Sequence, residues 1–136
     1  MSSGYLALVL HAHLPFVRHP EHEKFLEENW LFEAITETYI PLLRVLQGWQ
    51  RDGLDTRLTL TLSPTLCSML LDSLLQERYL RHLNSLVELA QKEMHRTHFD
   101  QPRNELARGY HRLFTETREF YFACGKNHAH SKSEVR

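Results

Sequence analysis

The run Tyr5-Leu6-Ala7-Leu8-Val9-Leu10 is apolar at every position, which predicts a strand buried on both faces, as in a parallel sheet covered by helices. Pro15 cannot donate to a ladder and holds Leu14 extended, so this strand should end near His11-Ala12-His13-Leu14-Pro15. From Arg18 to Glu28 charge and histidine dominate, Pro20 interrupts and no period emerges; the segment reads as a loop longer than a tight connection. Beyond it the pattern becomes helical. Trp30, Leu31, Phe32, Ile35, Tyr39, Leu42, Leu43 and Leu46 recur at spacings of three and four, with Asn29 placed as N-cap. Pro41 lies inside this stripe and predicts a kink or a split, because it removes one backbone donor and crowds the preceding turn. Asp52-Gly53 is a stop signal.

Arg57-Leu58-Thr59-Leu60-Thr61-Leu62 alternates leucine with threonine, whose branched side chain favours a pleated surface, and predicts a second strand. Ser63-Pro64 follows as an N-cap with proline at the first helical position. A short helix through Cys67, Met69 and Leu70 leads to a longer one, whose face is traced by Leu75, Tyr79, Leu83, Leu86, Ala90 and Met94. Gln101-Pro102 breaks it. A last stripe of Leu106, Tyr110, Leu113, Phe114 and Tyr121 predicts a helix ending before Cys124-Gly125. The order strand, helix, strand, helices indicates an α/β architecture with a right-handed parallel crossover. Two strands alone leave open edges, so the pattern looks like the opening of a larger fold. We divide the chain into residues 1–123 and a tail over 124–136, whose Lys, Asn, His and Ser content predicts disorder.

Composition narrows the function classes. Sixteen Lys and Arg against 17 Asp and Glu give a net charge of -1, which offers no electrostatic footprint for nucleic acid or anionic lipid. The apolar run at the start is far short of the ~20 residues that a membrane helix needs, and no cationic segment precedes it to make a signal peptide. A cytoplasmic protein is expected. Cys67 and Cys124 form no CxxC pair, so neither a disulfide framework nor a cysteine zinc site is encoded. Histidine is the one excess, ten in all, with His11, His13, His19, His22, His128 and His130 gathered in two short stretches.

Ligand sites in α/β folds collect at the carboxyl ends of parallel strands, which makes His11 and His13 the first candidates. The strand period of two points both imidazoles to one side, where they can bind a metal or donate hydrogen bonds to a polyhydroxyl substrate. Two polar residues merely finishing a strand is an equally open reading of the spacing. Trp30 opens a helix where an aromatic plate can stack on a sugar ring or staple the loop to the helix. Glu33 and Glu37, one turn apart, are a carboxylate pair or an ordinary solvated face. His128-Ala129-His130 repeats the His-x-His pattern without a scaffold to hold it.

Two longer segments carry more information than any single spacing. The stretch from Gly4 to Arg18, containing His11-Ala12-His13-Leu14-Pro15-Phe16-Val17, and the stretch Trp30-Leu31-Phe32-Glu33-Ala34-Ile35-Thr36-Glu37-Thr38-Tyr39-Ile40-Pro41-Leu42-Leu43 resemble the amino terminus of glycoside hydrolase family 57. Within that family the 1,4-alpha-glucan branching enzymes are the most similar, and Leu60-Thr61-Leu62-Ser63-Pro64-Thr65-Leu66-Cys67 continues the match. The resemblance implies an incomplete (β/α) TIM-like barrel, alpha-glucan as substrate, no metal and no cofactor. It implies retaining cleavage of an alpha-1,4 linkage and transfer to a 6-hydroxyl, as in glycogen biosynthesis, by a nucleophile and an acid roughly 5 Å apart. In the family these carboxylates come from later strands, so no catalytic residue is assigned in this chain. His11 and His13 match the substrate-contacting histidines, and Trp30 matches an aromatic near the donor subsite. The match fades near Ala123-Cys124-Gly125, and the expectation is a truncated or frameshifted chain that is inactive alone. Two other readings stand beside this one. In the first, a metal-dependent hydrolase uses His11 and His13; in the second, a non-catalytic interaction module uses its exposed strand edges and apolar helix faces.

Overall fold

Leucine and threonine alternate in one short segment and apolar residues run together in another, and pairing of these two segments organises the first part of the molecule. The computed structural model describes Gly4 and residues 6–131. Strand β1 (Val9–Ala12) pairs in parallel with β2 (Thr59–Leu62), in the register Val9 to Thr59, Leu10 to Leu60, His11 to Thr61 and Ala12 to Leu62. The ladder extends past both ends, with Thr59 N–H donating to Leu8 O and Ser63 N–H donating to Ala12 O. The parallel pairing expected from the crossover is present, so the chain is helix-rich α/β.

Burial of the sheet departs from expectation. Leu6 is 93% exposed, Leu8, Val9, Leu60 and Leu62 are exposed as well, and Ala12 alone of the eight strand residues is buried. Pairing also starts at Val9 rather than Tyr5, which lies outside the described residues. A doubly covered parallel sheet needs neighbouring strands and a helix layer on each face. Among the described residues β1 and β2 are the only strands.

Helix α1 (Glu28–Ala34) starts two residues before Trp30, and its N-cap is Glu27, with no side-chain cap. Asn29 therefore lies inside the first turn. The amides of Glu28, Asn29 and Trp30 instead bond the carbonyls of Phe25, Leu26 and Glu27, so carbonyls of the preceding turn replace a side-chain cap. The break caused by Pro41 takes a specific form. Residues Ile35–Tyr39 form a π-helical turn, in which Ile40 N–H reaches back five residues to Ile35 O, and α2 (Ile40–Arg51) follows with the proline in its first turn. Pro41 has no N–H and its ring crowds the carbonyl of Glu37; the widened turn accommodates both effects. Helix α2 ends as the sequence indicates. Gly53 takes φ of 70°, its N–H bonds Gln50 O, and Leu54 N–H bonds Trp49 O, the double closure of a Schellman motif.

Ser63 caps α3 (Pro64–Leu71) through its hydroxyl, which accepts from Leu66 N–H at 3.2 Å. A second cap is made by Asp72, whose Oδ1 accepts from Leu75 N–H at 3.0 Å at the start of α4 (Ser73–Arg96). Helix α5 (Gln101–Ser131) completes the described chain and runs through Cys124-Gly125, where the sequence pattern placed its end. The side chains of His128 and His130, and residues 132–136 of the tail assigned to 124–136, lie outside the described residues.

The chain divides into two units, residues 1–76 and 77–136. The core of the first holds Val17, Leu31, Phe32, Ile35, Ile40, Leu66, Met69 and Leu75. In the second, α4 buries Tyr79, Leu83 and Ala90, and the Tyr79 ring meets Tyr121 of α5 edge to face at 4.9 Å. Asn104 ties the helix pair at its turn, donating to Met94 O at 2.6 Å and to Thr97 Oγ1 at 3.3 Å. The predicted α5 stripe is only partly covered. Leu106 is 62% exposed, and Tyr110 and Leu113 are also exposed, whereas Ala107 and Thr117 are buried. Leu106, Tyr110 and Phe114 instead line an open groove of about 460 Å³ with Leu86 and Leu89 of α4. The small residues Ala90 and Ala107 line the same groove.

Candidate functional site

The alternation of a strand carries His11 to the exposed side of β1, one residue before its end, and His13 into the segment that follows. Both imidazoles are exposed. His11 stands directly opposite Thr61 in the parallel register, and its Nδ1 lies 2.7 Å from Thr61 Oγ1. Among the described residues the side chain of His13 has no hydrogen bond, ion pair or ring contact, which leaves both ring nitrogens open to a ligand. These two residues therefore form a polar, solvent-facing ledge at the carboxyl end of the parallel pair.

The segment after the ledge is pinned to the first unit. Val17 is buried, and its N–H points to the sulfur of Met69 at 3.3 Å. Arg18 Nε donates to Asp72 Oδ2 at 2.6 Å. His19, Glu21, His22 and Phe25 then fold on one another. The His19 and His22 rings lie 3.7 and 5.5 Å from that of Phe25, and His19 Nδ1 is 3.0 Å from Glu21 Oε1. The carboxyl of Glu21 is held below its usual range by its own backbone amide and by His19.

Trp30 is 51% exposed in the first turn of α1. Among the described residues no hydrogen bond or ring contact joins it to His11 or His13. Exposure of a large aromatic is compatible with stacking on a ligand and removes it from the apolar core. Glu33 and Glu37 are exposed, the first in α1 and the second in the π-helical turn. Among the described residues no three His, Cys, Asp or Glu side chains gather in a geometry able to hold a metal ion, so His11 and His13 have no third protein ligand there. Also among the described residues, no helix is long and apolar enough to cross a membrane.

Four polar residues escaped the sequence reading. Thr61 is legible in the sequence only as a strand former. Arg18 and Asp72 carry no local signal of each other across 54 residues. Glu28 is 2% exposed although it opens a helix from a charged loop, a position where a solvated acid is the ordinary expectation.

Comparison with known proteins places these features in context. The profile of glycosyl hydrolase family 57 matches residues 7–124, a span that contains His11, His13, Trp30 and Thr61. Over 99 residues the chain is 31% identical to the 1,4-alpha-glucan branching enzyme of Thermococcus kodakarensis, a match that covers 72% of this chain and 14% of that enzyme. Its fold is similar to the alpha-amylase AmyC from Thermotoga maritima, with 45% identity and a TM-score of 0.80, over 88% of this chain and 23% of the other. It is also similar to a branching enzyme of the same family from Pyrococcus horikoshii, with 28% identity and a TM-score of 0.82, over 91% of this chain and 23% of the other. The chain thus spans about a quarter or less of the length of these relatives. A profile match across most of the sequence and a shared backbone over nine-tenths of it lead to one assignment: the chain belongs to glycosyl hydrolase family 57.

Proposed function

We propose that these residues supply the substrate-contacting opening of an alpha-glucan branching enzyme built on a (β/α) TIM-like barrel, with residues 1–123 as the barrel portion. In this reading His11 and His13 donate hydrogen bonds to glucan hydroxyls, and Trp30 stacks on a sugar ring near the donor side. The observation that carries it is the exposed His11 ledge at the carboxyl end of a parallel strand, in a chain of this family. The reaction is retaining cleavage of an alpha-1,4 linkage followed by transfer to a 6-hydroxyl, in the cytoplasm, in the formation of glycogen. It needs a nucleophilic carboxylate and a carboxylic acid about 5 Å apart. We assign neither role to a residue in this sequence, so the chain by itself binds glucan without turning it over.

The test is made with the purified full chain on soluble amylose. Native electrophoresis through amylose gels reads binding, iodine staining reads branching and reducing-end assays read hydrolysis. Retarded migration that is lost in His11→Ala, with no turnover, supports the proposal. Turnover abolished by substituting Glu33 or Glu37 would overturn it, as would migration indifferent to amylose. The 45% identity to an alpha-amylase favours a second reading, hydrolysis without transfer. In a longer protein carrying this sequence, new reducing ends that accompany the loss of iodine colour, rather than a colour shift at a constant number of reducing ends, would select it.

A further inference from the structure

We infer that Thr61 is a positioning residue that holds the neutral imidazole of His11 with its proton on Nε2, so that His11 presents an N–H donor to a sugar oxygen. This rests on the glucan-contact role proposed above for His11. The two residues are register partners on adjacent parallel strands, so the backbone ladder itself sets their approach. Their contact, 2.7 Å from Nδ1 to Oγ1, sits at the commonest length for a hydroxyl donor and at the short end of the range for a ring or amide N–H.

The hydroxyl has one proton and, among the described residues, two protein acceptors within reach, Nδ1 of His11 at 2.7 Å and the carbonyl of Leu10 at 3.5 Å. The second distance is at the outer limit for a hydrogen bond. The Leu10 carbonyl also lies in a ladder whose neighbours, Leu8 O and Ala12 O, accept from Thr59 and Ser63 at two-residue intervals. Placing the hydroxyl proton toward Leu10 would therefore give a long bond to an acceptor that the ladder serves. Placing it toward Nδ1 gives the short one. With Nδ1 accepting, the proton of the neutral ring resides on Nε2. The Thr61 methyl and backbone keep the strand in place, and the hydroxyl acts on the ligand only through His11.

The experiment uses the full chain, labelled with 15N, at a pH where imidazole is neutral. Long-range 1H–15N spectra identify His11 as the ring signal absent from His11→Gln. The expected pattern is an unprotonated Nδ1 and a protonated Nε2. In Thr61→Val, which keeps the branched strand former, and in Thr61→Ala the His11 signals move toward the averaged position of a free imidazole, while Thr61→Ser retains the parent pattern. Amylose affinity from gel retardation falls about threefold or more in the two variants without a hydroxyl and is kept in Thr61→Ser. A protonated Nδ1 in the parent, or parent-like spectra or affinity in Thr61→Val, would overturn the positioning role. Loss of retardation in His11→Gln together with an unchanged His11 spectrum in Thr61→Val removes that role alone. Unchanged retardation in His11→Gln removes the glucan-contact reading, whatever the spectra show.

Discussion

Arg18 Nε donates to Asp72 Oδ2 over 2.6 Å, and Asp72 Oδ1 at the same time accepts Leu75 N–H at the start of α4. One carboxylate thus anchors the segment that follows the histidine ledge and caps a helix. The two side chains are 35% and 21% exposed, so the ion pair itself is screened and adds little, whereas the cap is worth about 1 kcal/mol.

Asp72→Ala should therefore destabilise the chain by about 1–2 kcal/mol, read as a lower urea midpoint at unchanged slope. Asp72→Asn keeps an acceptor for the cap and should lose less. The pH dependence separates the two further. Burial raises the Asp72 carboxyl, but the Leu75 amide, the Arg18 hydrogen bond and charge, and the Leu74 amide outweigh it and leave the group below its ordinary 3.8. A depressed acid contributes stability that is present above the unfolded value and lost as pH falls through the folded one. The parent should lose stability more steeply than Asp72→Asn below about pH 4, and parallel acid limbs would refute the assignment.

Ser63→Ala removes the hydroxyl that accepts Leu66 N–H at the start of α3. The expected loss is about 1 kcal/mol, a fall in melting temperature of a few degrees. Pro64→Ala should cost less, because the N1 amide lost to proline has no partner within the helix.

Two glycines should respond with opposite signs. Gly53 has φ of 70° at the end of α2, so Gly53→Ala should cost about 1–2 kcal/mol. Gly48 lies inside α2 with open space where a Cβ would stand, and Gly48→Ala should add roughly 0.5–1 kcal/mol through helix propensity. Urea titrations of both variants would check the signs.

Trp30→Ala should reduce amylose retention and cost no more than about 3 kcal/mol of stability, because about half of the residue already faces solvent. A clear fall in melting temperature with retention unchanged would make Trp30 a packing residue instead. Melting and gel retardation on the same preparations decide between the two.

Features governed by a few neighbouring residues were legible in the linear chain. Ser63-Pro64 marks a helix start because a free amide needs an acceptor and a proline at N1 forfeits nothing, and Asp52-Gly53 marks an end because only glycine enters the left-handed region cheaply. The Leu and Thr alternation, the His-x-His at a strand end and the family resemblance were also available there. Tertiary structure decided what depends on distant partners. The apolar composition of Tyr5 to Leu10 specifies a strand, but burial of a strand is a property of what packs on it, and most of this pair is exposed. Pro41 predicts a disturbance, while its form, a π-helical turn over Ile35–Tyr39, depends on how α1 and α2 accommodate the displaced carbonyl. In α5 both small and large apolar residues satisfy the helical period, yet in the folded chain Ala107 is buried and Leu106 is exposed. The pairing of His11 with Thr61 is set by strand register, and that of Arg18 with Asp72 by chain return across 54 residues. Local chemistry chooses a backbone conformation residue by residue, and only the closed chain brings these side chains within hydrogen-bonding distance.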